Sequence, residues 1–180
     1  MGTPREPRPA KYFVALLSSD SELLTTVESD LAAILGAIDA RSEVWPWTVS
    51  NFYEKEMGVG LLRRFLSFKP LASAGELARI KLLTQHVEDN YRDKTADHSG
   101  RRVNLDPGYI DAFKLVLAST KNAGQRIYLH SGIYAEATLQ YFDGAFHGLA
   151  HTYLDYLWPE TLAFLTSLRS VYVDQLRRFG

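Results

Sequence analysis

The chain has 180 residues, of which 46% are hydrophobic and 23% are charged, and it carries a formal net charge of −1 and no cysteine. This balance is typical of a folded globular chain and excludes a largely disordered one, and the lack of cysteine excludes a disulfide scaffold and a cysteine nucleophile. The longest apolar runs are far shorter than the roughly 20 residues of a membrane-spanning helix. The first residues also lack an apolar stretch of signal-peptide length, so we expect a cytoplasmic protein without a membrane segment.

The N-terminal part of the chain predicts a tail, a strand and a helix. Residues 1–10 hold three of the seven prolines, which predicts a flexible tail ahead of a single domain over residues 11–180. The apolar run at 12–18 predicts a buried strand. Residues 19–22, Ser-Asp-Ser-Glu, match a capping box and predict a helix that Gly36 ends.

The middle of the chain continues with strand and helix signals. Strands are predicted at 38–49 and 61–68, where β-branched and aromatic residues recur. A second capping box at 73–76 predicts an amphipathic helix. A polar, exposed loop at 92–100 and a short strand at 101–105 are expected to follow.

The C-terminal half predicts two further helices and a run of hairpins. Asp106 and Pro107 have the residue types of a helix N-cap and a first helical position, and they predict a third helix that reaches about Lys121. The dipeptides Ser131-Gly132 and Asp143-Gly144 predict hairpin turns. These turns join predicted strands at 125–130, 133–142 and 145–149, and Pro159 opens a long final helix.

This order of elements predicts an α+β fold. The first six elements follow the β-α-β-β-α-β order of a ferredoxin-like split βαβ unit. A helix, three hairpin-connected strands and a helix come after them. We therefore expect a two-layer sandwich in which helices cover a mostly antiparallel, mixed sheet, with the hairpins and the last helix added at the C-terminal end.

Charge is unevenly distributed along the chain. Residues 19–60 contain a surplus of six acidic side chains, whereas residues 101–126 contain a surplus of three basic ones. A basic surface of this kind suits phosphate or carboxylate groups, because each guanidinium offers paired donors. The alternative is a solvated face with scattered ion pairs.

The segment 101–109, Arg-Arg-Val-Asn-Leu-Asp-Pro-Gly-Tyr, predicts a binding site at a strand-to-helix turn. The free N–H groups at a helix N-terminus attract anions, so we predict that a small phosphorylated or nucleotide-like ligand binds here. In this interpretation basic side chains hold the anion, and Asn104 and Tyr109 orient the ligand. The residues expected to contact it are Arg101, Arg102, Asn104, Tyr109, Lys114, Lys121, Arg126 and Tyr134.

Two carboxylates are candidate catalytic residues. Glu136 shares one face of a predicted strand with Tyr134 and Thr138. There it serves either as an acid, a base or a cation ligand, or as a structural partner of Arg126. Asp106 has the same catalytic interpretation, or only caps a helix. The corresponding enzyme hypothesis is metal-assisted phosphoester hydrolysis or phosphoryl transfer.

A third hypothesis is a protein-interaction module without a small-molecule ligand. In this hypothesis the acidic residues of 19–60 form a partner surface together with Trp45, Trp47 and Phe52. The three hypotheses differ in the class of partner, and composition does not choose between them.

Several function classes lack their sequence motifs. The chain has no P-loop, no dinucleotide-binding glycine motif, no zinc-protease helix motif and no serine-hydrolase elbow. His147 and His151 have the spacing of a helical metal pair but fall in a predicted strand end and loop, so no metal site is predicted. Nucleic-acid binding is not expected, because the charge is nearly balanced and no RNA-binding aromatic motif occurs. No cofactor and no oligomeric state follow from the sequence.

Two segments are distinctive, Asn-Leu-Asp-Pro-Gly-Tyr at 104–109 and Ile-Tyr-Ala-Glu at 133–136. They are the most specific parts of a resemblance, over nearly the whole chain, to an uncharacterised bacterial family, domain of unknown function 4416. The resemblance implies a small bacterial protein, and some members carry the label "GTP-binding protein". The guanine-nucleotide and Mg²⁺ motifs of G domains do not occur in this sequence. Further segments that carry the resemblance lie at 53–58, 63–65, 80–82, 117–121 and 126–129.

Overall fold

A computed structural model describes residues 2–95 and 100–179, and within them nine strands form one sheet. The strands are β1 (Ala10–Ser18), β2 (Ile38–Arg41), β3 (Trp45–Pro46), β4 (Leu62–Ala72), β5 (Asn104–Ile110), β6 (Lys114–Ser119), β7 (Ile127–His130), β8 (Ile133–Phe142) and β9 (Ala145–Gly148). The helices are α1 (Ser21–Leu35), α2 (Glu54–Met57), α3 (Leu77–Asn90) and α4 (Pro159–Phe179).

The sheet has the order β2-β4-β1-β5-β6-β8-β7, with β3 paired to β4 and β9 paired to β8. All of these pairings are antiparallel. In the first half, β1 lies between β4 and β5, so β4 separates β1 from β2, and β1 separates β4 from β5. This is the split βαβ arrangement that the sequence predicts, and the α+β sandwich of a sheet and helices is confirmed.

The helices cover both faces of the sheet. On one face, α1 and α3 pack against Leu16 of β1, Leu66 of β4 and Leu105 of β5. On the other face, α4 packs near Phe13 and Phe65. Within the part of the chain that the structure describes, no helix combines the length and apolar character that crossing a membrane requires.

Local signals predict the ends of several elements well. The α1 cap is Asp20, one residue after the predicted position, and its carboxylate accepts hydrogen bonds from the N–H groups of Glu22 and Leu23. Both predicted hairpin turns are confirmed, and their first residues, Ser131 and Asp143, have positive φ angles of 53° and 48°. The final helix begins at Pro159, as predicted.

The predicted third helix is wrong, because its residues form β5 and β6. The carboxylate of Asp111 closes the turn between them by accepting hydrogen bonds from the N–H groups of Phe113 (2.8 Å) and Lys114 (2.9 Å). Phe113 is 73% exposed at this turn. The apolar run at 115–118 fits a helix or a buried strand equally well, and pairing with β5 and β8 selects the strand.

Two other predicted segments also differ from the structure. The predicted strand at 38–49 is interrupted after Arg41, where Ser42 exchanges hydrogen bonds with the backbone of Phe65 before β3 begins. The predicted short strand at 101–105 starts only at Asn104 and continues to Ile110. Residues 96–99 of the predicted loop at 92–100 lie outside the described residues.

Candidate functional site

A cavity of about 480 Å³ lies where β5 and β6 separate. The two strands pair only from Gly108 to Ile110, so the first half of β5 has no strand neighbour on that side. Asn104 and Asp106 of β5 line one wall, and residues 117–121 line the other. The cavity is therefore a consequence of strand pairing that stops halfway along β5.

Side chains of α3 replace the missing strand. Leu105 donates its N–H to Glu88 Oε1 (2.7 Å) and accepts a hydrogen bond from Lys81 Nζ at its carbonyl oxygen (2.8 Å). Pro107, two residues later, faces the same side of the strand and has no N–H that needs a partner. The backbone of Leu105 is thus satisfied without β6, which leaves the cavity open.

The floor of the cavity is a charged network. Lys81, whose side chain is only 7% exposed, lies 3.2 Å from Asp106 Oδ1 and 4.0 Å from Glu88 Oε1. Asn104 donates its side-chain N–H to Asp106 Oδ2 and accepts a hydrogen bond from Arg101 Nη1 (3.0 Å). These contacts fix the orientation of Asp106, which lines the cavity and keeps 30% of its side-chain exposure.

The two carboxyl groups beside Lys81 differ in pKa. Burial raises the pKa of Glu88 to about 7, because the nearby Lys81 charge and the Leu105 N–H only partly offset the loss of hydration. Burial acts in the same direction on Asp106, but the positive charges of Lys81 and Arg63 outweigh it and lower the pKa of that carboxyl. Asp106 is therefore ionised at neutral pH, whereas Glu88 is protonated in part of the molecules at that pH.

Glu136 of β8 stands on the wall opposite β5. Its side chain is 1% exposed, and Oε2 accepts hydrogen bonds from Arg126 Nε (2.7 Å) and Gln125 Nε2 (3.0 Å). Arg126 also donates to the backbone oxygen of Lys121 (3.0 Å) and to the hydroxyl of Tyr153. The other carboxylate oxygen, Oε1, has no hydrogen-bond partner among residues 2–95 and 100–179.

Arg63 of β4 forms the third charged part of the cavity. Its guanidinium lies 3.0 Å from Asp155 Oδ2 through Nη2 and 4.7 Å from the centre of the Trp47 ring. The side chain is 5% exposed, and Nε and Nη1 find no hydrogen-bond partner in the described part of the chain. Asp155 is also deeply buried, and burial raises the pKa of its carboxyl despite the Arg63 charge.

Aromatic side chains and one lysine complete the lining. Phe52 and Tyr53 come from the segment before α2, and burial raises the pKa of Tyr53 to about 12, so its phenol is neutral at pH 7. Lys121 is exposed, and its Nζ lies 5.2 Å from the centre of the Phe52 ring. Among the described residues no carboxylate lies within ion-pair distance of Lys121, which makes it a cation available at the surface of the cavity.

Six of the ten predicted site residues line this cavity, and four do not. Those outside it have other partners: Arg102 pairs with Asp20 (2.8 Å), Lys114 pairs with Asp111, and the rings of Tyr109 and Tyr134 pack on those of Tyr12 and Tyr128. The predicted helix N-terminus at 106 is wrong, because Asp106 lies within β5. The cavity residues are Arg101, Asn104, Asp106, Lys121, Arg126 and Glu136.

Several charged side chains of the cavity are absent from the predicted site. Lys81 and Glu88 are seven residues apart and border the apolar face of α3, a spacing that could have indicated a polar stripe facing the interior. Arg63 shares its strand face with Phe65, which could have indicated a buried position. No sequence signal indicates Asp155, whose place depends on the ion pair with Arg63.

Metal-ligating side chains are dispersed. Within residues 2–95 and 100–179, no group of three or more histidine or carboxylate side chains is placed to hold a metal ion. His147 stacks on Phe142, and the ring of His151 bonds to the backbone oxygen of Ala137 (2.8 Å). The two histidines thus have separate partners.

The chain was compared with family models, curated proteins and solved structures. A family model described as "Domain of unknown function (DUF4416)" matches residues 8–172. The searches of curated proteins and of solved structures found no match.

Proposed function

The chain belongs to the DUF4416 family, and we propose that it binds a small anionic ligand, phosphorylated or nucleotide-like, in the cavity between β5 and β6. The observation that carries this proposal is the buried guanidinium of Arg63. Two of its nitrogens, Nε and Nη1, have no hydrogen-bond partner among the described residues. Leaving a buried charged donor unsatisfied costs more than about 1–3 kcal/mol, and an anionic oxygen of a ligand removes that cost.

Lys121 supports the same proposal at the surface. It is the charged end of a polar segment, 119–121, that lines the cavity, and it lacks a carboxylate partner within the described residues. Three other cations of the cavity have carboxylate partners: Lys81 holds Asp106, Arg126 holds Glu136, and Arg101 lies 3.6 Å from Glu56. Lys121 therefore supplies the positive charge that remains available to a ligand, and Arg63, whose charge is paired with Asp155, adds two N–H donors without a hydrogen-bond partner in the described residues.

The size and walls of the cavity favour a ligand with a planar part. Its volume lies within the range of about 300–1,000 Å³ that small-molecule sites occupy. Trp47, Phe52 and Tyr53 contribute aromatic surface, on which a flat ring can stack. A mononucleotide combines such a ring with a phosphate, which is why a nucleotide-like ligand is proposed.

The two alternative hypotheses receive less support. The interaction-module hypothesis needs exposed aromatic residues, and Phe52 is 67% exposed, but Trp45 packs on Phe65, and Trp47 lies beside Arg63 in the cavity. The metal-assisted hypothesis keeps Asp106 and Glu136 in one cavity but has no cluster of three metal-ligating side chains in the described residues.

The proposal is tested by calorimetric titration of the protein with inorganic phosphate, ribose 5-phosphate and AMP. We expect AMP to bind, and Lys121→Gln to weaken its binding about tenfold, because a charge-assisted hydrogen bond is lost. Lys114→Gln, which removes a lysine paired with Asp111 outside the cavity, serves as the matched control and leaves the Kd unchanged. Failure of all three compounds to bind at millimolar concentration overturns the proposal, as does equal weakening by both substitutions.

A further inference from the structure

The inference concerns Glu136 and rests on the proposed function. Oε2 of this carboxylate holds two donors, Arg126 Nε and Gln125 Nε2, whereas Oε1 has no hydrogen-bond partner within the described residues. The side chain lines the cavity and is almost fully buried. A carboxylate oxygen in such a place needs a donor, since the loss of its hydration is not compensated.

We infer that the ligand carries an N–H donor group as well as an anionic group, and that Oε1 of Glu136 binds the donor. Glu136 is held rigidly for this role, because Arg126 is itself fixed by the Tyr153 hydroxyl and the Lys121 backbone oxygen. A rigid acceptor loses little conformational entropy on binding.

The opposite wall supplies a second acceptor. Leu117 of β6 pairs with both Gly108 and Glu136, so Glu136 lies on the same sheet face as Gly108 and, by alternation, as Asp106. At Gly108 two strand spacings, about 10 Å, separate the backbones of β5 and β8, and at Asp106 β5 and β6 no longer pair. Asp106 is ionised and lines the cavity, so acceptors stand on both sides of the space that the ligand enters.

The cavity thus favours a ligand that carries both an anionic group and an N–H donor. Its anionic group contacts Lys121 or Arg63, and its donor group contacts Glu136. An alkyl ammonium and an exocyclic amine of a nucleobase both provide this donor chemistry, and each is compared with an analogue that lacks only the amino group. The pairs are O-phosphoethanolamine with ethyl phosphate, and AMP with purine riboside 5′-monophosphate.

The experiment measures Kd for both pairs by calorimetry on the wild-type chain and on Glu136→Gln. In the wild type we expect the amino compound of at least one pair to bind about tenfold more tightly than its analogue. In Glu136→Gln the side-chain oxygen remains with Arg126 and an amide N–H₂ replaces Oε1, so the preference falls to near one. Glu43→Gln, an exposed carboxylate away from the cavity lining, is the matched control and keeps the wild-type preference.

The outcomes separate this inference from the proposed function. Equal binding of both members in both pairs overturns the inference and leaves anion binding intact, whereas no binding of any probe overturns the proposed function. A preference that survives in Glu136→Gln also overturns the inference, because another group must then accept the donor. Circular dichroism checks the fold of the variant, and if it does not fold, Glu136→Asp, which keeps the charge and retracts the oxygens, replaces it with the same expected loss of preference.

Discussion

The two edges of β5 are built in different ways. On one edge β1 pairs with β5 along the full strand, from Asn104 opposite Leu17 to Ile110 opposite Lys11. On the other edge β6 pairs only from Gly108 to Ile110, and the backbone of Leu105 bonds instead to Lys81 and Glu88 of α3. One edge is therefore bonded to a neighbouring strand along its whole length, whereas the other is bonded partly to a strand and partly to side chains of α3.

This difference shows how the fold makes a polar cavity without leaving its backbone unsatisfied. A strand edge that ends in the interior needs donors and acceptors, and ionic side chains from α3 provide both. Lys81 also bonds to Asp106 and so holds this carboxylate in the cavity floor. The residues that satisfy the free edge therefore also contribute charge to the candidate site.

The largest expected effect comes from Lys81→Met. The substitution leaves the Leu105 carbonyl and the Asp106 carboxylate without their buried cation, and removing one partner of a buried pair costs about 3–5 kcal/mol. We expect the free energy of unfolding, measured by urea denaturation at pH 7, to fall by about 4 kcal/mol.

Lys69→Met is the control for this prediction. Lys69 is also a strand lysine, but it is exposed, so its replacement is expected to change stability by less than about 0.5 kcal/mol. Equal losses from the two substitutions would mean that α3 does not stabilise the free edge of β5.

The parts of the fold that the sequence predicts are those with local causes. Asp20 caps α1 through bonds to residues two and three positions away, and Ser131-Gly132 turns β7 into β8 through its own backbone angles. The β-α-β-β-α-β order then limits the sheet to few topologies, so the ferredoxin-like half was predictable.

The parts that were not predictable depend on distant contacts. The run at 115–118 has no period that separates a helix from a buried strand, and only its pairing with β5 and β8 decides. Asp106 was predicted in the site for the wrong local reason, as a helix cap. Asp155 was missed because Arg63, its ion-pair partner, lies 92 positions earlier in the chain.

Glu88→Gln sharpens the comparison through pH. The pKa of Glu88 is about 7 in the folded chain, against an ordinary value of 4.5. The folded state therefore binds the proton more tightly, and this group lowers stability as pH rises from 4.5 to 7, with a full cost on the order of 3 kcal/mol above pH 7. Glutamine keeps an acceptor for the Leu105 N–H but has no proton to lose. The free energy of unfolding of the Glu88→Gln variant is therefore expected to decline less than that of the wild type between pH 4.5 and 7.

Urea denaturation between pH 4.5 and pH 8 measures this difference. Glu43→Gln, which removes an exposed carboxylate, is expected to follow the wild-type pH profile. Identical profiles for wild type and Glu88→Gln would show that Glu88, at the edge of β5 that bonds to α3, does not cause the pH dependence of stability.

Gly108→Ala tests the position at which β5 is paired with a strand on both edges, with β1 on one side and β6 on the other. A Cβ there lies 2.5 Å from the Val116 backbone oxygen and 2.7 Å from Phe13 Cζ, so β1, β5 and β6 must shift to admit it. Overpacking of this kind costs about 2 kcal/mol, which urea denaturation measures. Gly124→Ala, where a Cβ meets nothing within 4 Å, is the control and leaves stability nearly unchanged. Because β5 and β6 separate immediately before Gly108, we expect the substitution to weaken AMP binding as well. A loss of stability without any change in the Kd for AMP would mean that the cavity does not depend on the position at which the β5–β6 pairing ends.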